Sequence, residues 1–131
     1  MLSQLFKDMD KKTLKFILNV LRQGTITWNG RSECLKRARK KVLERVNTRG
    51  KEIYKFYWTC AKCKKEFRDE SSMEVDHIEE VGPYAGDLHK YAERLYCPIE
   101  NLQALCISCH ARKTAGFNAR LRYTRKSEDL L

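Results

Sequence analysis

The chain has 131 residues, with 27 Lys and Arg against 17 Asp and Glu and a formal net charge of +10, which bounds it to about one domain and excludes a large multidomain enzyme. With 42% hydrophobic residues it can build a core, but its longest apolar run is Ala104 to Ile107, far short of the ~18 to 20 residues that cross a bilayer. Lys7 and Asp8 also interrupt any signal-like start, so the expectation is a cytoplasmic protein whose positive excess favours polyanionic partners.

Leu2, Leu5, Phe6 and Met9, then Leu14, Ile17, Leu18 and Leu21, recur at helical spacing until Gly24, and predict one long helix or two short ones. A turn at Asn29 and Gly30 leads to Ser32 as an N-cap, and Leu35, Ala38, Val42 and Val46 mark one face of a helix ending near Gly50. From Lys36 to Lys51 that segment carries eight positive residues, among them Lys36, Arg37, Lys40 and Lys41, against the single Glu44. By itself such a run is a solvated face.

Ile53 to Thr59 is aromatic-rich and predicts a strand, with Tyr54, Phe56, Tyr57 and Trp58 as ordinary core, because no basic residues alternate with them as in a stacking platform. Met73 to Val81 predicts a second strand ended by Gly82 and Pro83. Residues 82–98 form a long excursion with a helical piece from Asp87 to Leu95, which also holds a lone His89 read as solvated. Asn101 to Leu105 returns as a short strand, and a helix runs from Ile107 to about Arg125, with Gly116 as its break or end. Residues 110–126 hold six Lys or Arg and no acid.

Of the six cysteines, four form two identical pairs, Cys60 with Cys63 and Cys106 with Cys109. In a reducing compartment these are metal ligands rather than disulfides, and four thiolates from two tight turns suit a closed tetrahedral zinc site. The 42 residues between the pairs make this a zinc ribbon with a large insertion. Cys34 and Cys97 are most simply small buried hydrophobes.

Within and beside that insertion stand Val75-Asp76-His77-Ile78, Asn101-Leu102-Gln103-Ala104-Leu105-Cys106 and Cys109-His110-Ala111-Arg112-Lys113-Thr114. In order, residue type and zinc framing, roughly residues 58–118 resemble the HNH endonuclease family, and the preceding basic stretch with Trp28 and Arg31 looks like the start of small phage-encoded members. The resemblance implies an α+β fold: a ββα-metal finger with a structural four-cysteine zinc site, preceded by N-terminal helices. The corresponding division is a basic helical region at 1–50, a nuclease core at 51–126 and a tail at 127–131.

The implied activity is metal-dependent hydrolysis of DNA phosphodiester bonds, giving 5′-phosphate and 3′-hydroxyl ends. His77 is then the general base, since imidazole titrates near neutrality. Asp76 and His110 are ligands of a hard cation, Mg²⁺ or Mn²⁺, with the remaining positions left to water and phosphate oxygens. Asn101 orients the loop carrying His77. Lys36, Arg37, Lys40, Lys41, Arg112, Lys113 and Arg120 become phosphate contacts. Where some members carry a second metal-binding histidine one turn after His110, this chain has Thr114. Neighbouring strand residues face opposite ways, so the strand has to bend or end at Asp76 and His77 for both to reach one phosphate. Two other readings are a zinc-ribbon module that binds nucleic acid without cutting it, and an accessory protein that docks onto phage terminase or other packaging proteins.

Overall fold

The computed structural model describes residues 9–129, with side chains through residue 120. Helix α1 spans Lys11–Thr27 and opens on Asp10, whose carboxylate accepts from the Thr13 backbone N–H at 2.7 Å, satisfying one of the orphan donors of the first turn. The positions predicted at Leu2, Leu5 and Phe6 lie outside the described residues. Gly24 does not stop the helix. A Cβ there would stand 2.3 Å from the Tyr96 hydroxyl, so the glycine admits Tyr96, which donates to the Leu21 carbonyl at 2.7 Å. Helix α2 begins at Asn29 and ends at Ala38.

The helix predicted to continue to Gly50 is corrected here. From Arg39 to Val46 the chain is strand β1, paired antiparallel with β2, Glu52–Thr59. Val42 and Val46 satisfy helical spacing but are β-branched, and pairing with the aromatic strand 13 residues on, as in Val42 opposite Lys55, outweighs a weak local preference. Asn47 builds the turn, its side-chain oxygen accepting from the backbone N–H groups of Arg49 and Lys51, while Gly50 takes φ +78°. Residue 50 therefore lies inside a hairpin. The short β3, Glu66–Phe67, completes the sheet in the order β1-β2-β3.

A second, two-stranded sheet pairs β4, Met73–His77, with β5, Leu102–Cys106. β4 stops at His77, four residues earlier than the hydrophobic alternation suggested. Its continuation leaves the ladder, with the Ile78 N–H bonded to the Asn101 carbonyl at 2.7 Å. Helix α3, Leu88–Leu95, capped by Asp87, lies in the excursion between these strands and buries Tyr91 and Leu95. β5 passes straight into α4, Ile107–Asp129, which continues through Gly116. β4, β5 and α4 are the ββα unit.

The core lies between α2 and this unit: Cys34 and Leu35 pack with Met73, Cys97, Leu102, Ala104, Leu105 and the cysteine cluster. Among the described residues, five of the twelve buried apolar ones are cysteines, so a large part of the interior is sulfur rather than branched aliphatic packing, as expected of a small domain stapled by a metal. Cys34 and Cys97 are buried, as read. Of the four aromatic residues of β2, only Trp58 packs on this core. The core reading of Tyr54, Phe56 and Tyr57 is corrected: Tyr54 is 40% exposed and cations lie over the rings. The alternation missing along one strand is supplied across two. No helix among the described residues is long and apolar enough to cross a membrane.

Candidate active site and metal centre

The two Cys-x-x-Cys turns meet in space. The sulfurs of Cys60, Cys63, Cys106 and Cys109 all lie within 4.8 Å of one another, and those of Cys63 and Cys106 are 3.9 Å apart. Four sulfurs at ~2.3 Å around a tetrahedral ion stand roughly 3.8 Å apart, so the cluster fits zinc. The first turn closes through Lys64 N–H to the Cys60 carbonyl at 3.0 Å, with Lys64 at φ +64°, and is tied to β5 through Ala61 N–H to the Ala104 carbonyl. Burial raises the Cys60 thiol, but backbone hydrogen bonds at Cys106, Cys63 and Lys62 lower it to about 6. The Cys109 thiol, hydrogen-bonded to Cys106 and further raised by burial, stands at about 11.

Beside the cluster lies a cleft of about 630 Å³ whose walls include Arg22, Asp76, His77, Tyr91, Leu95, His110 and Lys113. Asp76 and His77 from the end of β4 and His110 from the start of α4 converge on it. Asp76 faces across to β5, where Gln103 opposite donates to its Oδ2 at 3.1 Å. His77 is the last residue of β4, still paired with Leu102, and lines the same cavity as its neighbour Asp76. Its Nε2 lies 2.8 Å from the Leu95 carbonyl oxygen. A carbonyl only accepts, so Nε2 carries the hydrogen and Nδ1 the lone pair.

Asn101 stands behind His77. Its Oδ1 accepts from the Glu79 backbone N–H at 2.9 Å, and its backbone carbonyl holds Ile78, so the two residues that follow His77 are clamped by one asparagine. His110 sits in the first turn of α4. Its Nε2 is 3.6 Å from Asp76 Oδ1, and its Nδ1 pairs with Glu74. Glu74 and Asp76 share a face of β4 at i and i+2. A carboxylate on the far nitrogen of a histidine is the usual support of a metal ligand, and 3.6 Å is a separation one ion at ~2.1 Å from each group can span. Asp76 and His110 thus fit a divalent cation as two of its ligands.

The other expected residues are placed as follows. Lys113 enters the cleft, its ammonium on Asp76 Oδ2 and on the His77 carbonyl. Arg112 donates to the Cys109 sulfur at 3.5 Å, and Arg120 pairs with Glu80 at 3.2 Å. Lys36 pairs with Glu33, Arg37 with Glu100 and Lys40 with Glu66, all exposed, while Lys41 lies over Tyr54. These four are on α2 and β1 and do not line the cleft.

Sequence reasoning missed Glu74, whose i,i+2 relation to Asp76 was a usable signal. It also missed Arg22, which donates to the buried Tyr91 hydroxyl at 2.5 Å and gave no signal, and the Leu95 carbonyl, a backbone group. The excursion at 82–98 is accounted for, because α3 supplies that carbonyl. Arg94 fixes its entry, donating to the Val81 and Pro83 carbonyls at 2.7 and 3.1 Å.

Compared with models of protein families, residues 60–116 match the HNH endonuclease family. The likeness to the HNH family covers 57 of the 131 residues. The match covers β4, β5, the start of α4, the cysteine cluster and the cleft histidines, while α1, α2, β1 and β2 lie before it. No curated protein and no solved structure matches the chain. The match supports the nuclease class in general, a class that acts on nucleic acid and uses a divalent metal.

Proposed function

We propose that this protein is a metal-dependent DNA endonuclease in which His77 is the general base and Asp76 and His110 hold the catalytic cation, Mg²⁺ or Mn²⁺. The observation that carries the reading is the convergence of these three side chains on one cleft with His77 Nε2 committed to the Leu95 carbonyl. That hydrogen bond fixes the ring and leaves Nδ1 to take a proton from a water molecule. The water oxygen forms a bond to phosphorus as the bond to the 3′ oxygen breaks, leaving a 5′-phosphate and a 3′-hydroxyl once the leaving oxygen is protonated by solvent. The cation, when bound, supplies positive charge to oxygens that become more negative during this exchange. Glu74 keeps His110 turned toward Asp76, and Asn101 keeps the segment after His77 from swinging away. The zinc cluster holds the start of α4 and with it His110.

The test is nicking of supercoiled plasmid by purified protein across a titration of Mg²⁺ and Mn²⁺, with His77→Ala beside the parent. Loss of cleavage with DNA affinity retained is the expected result. A parent that leaves plasmid intact in every metal would sink the reading and favour a binding module.

A further inference from the structure

The strongest surface outside the cleft is the hairpin of β1 and β2. β1 is exposed at every position except Val42. Between Arg39 and Thr59 stand Arg39, Lys40, Lys41, Arg45, Arg49, Lys51 and Lys55 against Glu44 and Glu52, an excess of five and half the net charge of +10. Among the described residues only Lys40 of these seven forms an ion pair, with Glu66 at 3.2 Å. Several of the others rest on aromatic rings. On one face the Arg39 guanidinium carbon is 4.5 Å from the Phe56 ring centre and Lys41 Nζ is 4.2 Å from that of Tyr54; on the other, Lys55 Nζ is 5.2 Å from Tyr57. A ring holds a long cationic side chain in place while leaving its N–H donors free, which a carboxylate partner would not do.

A charged edge strand also guards a sheet against pairing with another chain. That role accounts for lysines but not for Leu43, Val46 and Tyr54, which are 47, 56 and 40% exposed on the same ribbon. An arrangement of cations above apolar surface suits a polyanion with apolar edges between its charges. Eight residues per strand give an arm of ~26 Å, and a two-stranded ribbon is of a width that the major groove of B-form DNA admits. Single strands bind on open ring faces, whereas here cations already cover the rings. The deep, narrow major groove of A-form RNA excludes a ribbon.

We propose that the β1–β2 ribbon is a docking arm for duplex DNA, distinct from the cleft, seated in the major groove with its cations on the flanking phosphates. β2 runs directly into Cys60, so the arm is rooted in the metal cluster and stands in fixed relation to the cleft. The choice of DNA rests on the nuclease reading; the existence of a second anion-binding surface does not.

The test uses the full chain with His77→Ala to prevent cutting, and a second protein with Lys41→Gln, Arg45→Gln and Lys55→Gln added, both checked for zinc content and circular dichroism. Fluorescence anisotropy is read with a labelled duplex, the matching single strand and an RNA hairpin. The expected result is preference of the parent for duplex, and in the triple variant at least about a tenfold loss of duplex affinity. Its salt dependence should be shallower by about 2 to 3 in the log–log slope, since each phosphate contact accounts for ~0.9. A triple variant matching its parent in affinity and slope, or a parent that prefers single strand or RNA, would overturn the arm. If binding behaves as expected while protein with native His77 never cuts, the arm stands and the nuclease reading falls.

Discussion

The imidazole of His77 and the carbonyl of Leu95 are joined across 18 residues by a hydrogen bond of 2.8 Å, so the ring's free nitrogen is decided by a helix C-terminus. Long-range nitrogen-15 spectra of the protein are expected to show the neutral ring of His77 as the tautomer with its hydrogen on Nε2. The opposite tautomer would remove Nδ1 from consideration as the base.

Asn101 acts on His77 only through the backbone of Ile78 and Glu79. Asn101→Ala is expected to lower kcat while leaving DNA affinity near the parent's, and to cost about 0.5 to 1 kcal/mol of stability for the lost, exposed hydrogen bond. Asn101→Asp keeps an acceptor for the Glu79 N–H and should recover part of both. Equal damage from the two substitutions would mean that the amide group itself is needed.

Lys113 occupies the carboxylate that the cation would use. Lys113→Ala therefore should tighten Mn²⁺ binding several-fold, read by electron paramagnetic resonance, whereas Asp76→Asn should weaken it. Unchanged Mn²⁺ affinity in Lys113→Ala would show that the ammonium and the ion do not compete.

For the cysteine cluster, zinc content of one ion per chain and a large drop in Tm on chelation are expected. Cys60 at about 6 is already ionised near neutral pH, whereas Cys109 at about 11 is not, so loading must release protons. Titration calorimetry in buffers of different ionisation enthalpy should register that release. Because the Cys60 value is depressed from 9.0, its thiolate is present above about 6 and is lost as pH falls through that value. Retention of zinc should fall in the same direction. A pH-independent affinity would contradict the ligand set.

Two glycines in helices give a contrasting pair. Gly24→Ala places a methyl 2.3 Å from the Tyr96 hydroxyl and should destabilise by about 1 to 3 kcal/mol. Gly116→Ala meets nothing within 4 Å and should stabilise by about 0.5 to 1 kcal/mol. Thermal melts of both variants check the pair together.

The ββα unit, the cysteine cluster and the cleft histidines were legible because each is specified by short spacing and by residue types with narrow chemistry. The first hairpin was not. Leu35, Ala38, Val42 and Val46 fit a helix by position, and only the partner strand reveals that Val42 and Val46 belong to a ribbon. The aromatic and basic residues likewise alternate across β1 and β2 rather than along either. Arg22 reaches the cleft because Gly24 lets α1 press against Tyr96, a relation between distant segments. Glu74 was within reach, since a carboxylate two residues before Asp76 on a strand has to share its side.

The direct passage of β5 into α4 puts Cys106, Cys109 and His110 on one uninterrupted stretch of chain. A change at Cys106 or Cys109 therefore bears directly on the stretch of chain that places His110. In a protein that cuts as proposed, exposure to peroxide should eject zinc and silence cleavage on one time course, and a reductant supplied with zinc should restore both, which would make its activity answerable to the oxidative state of its surroundings.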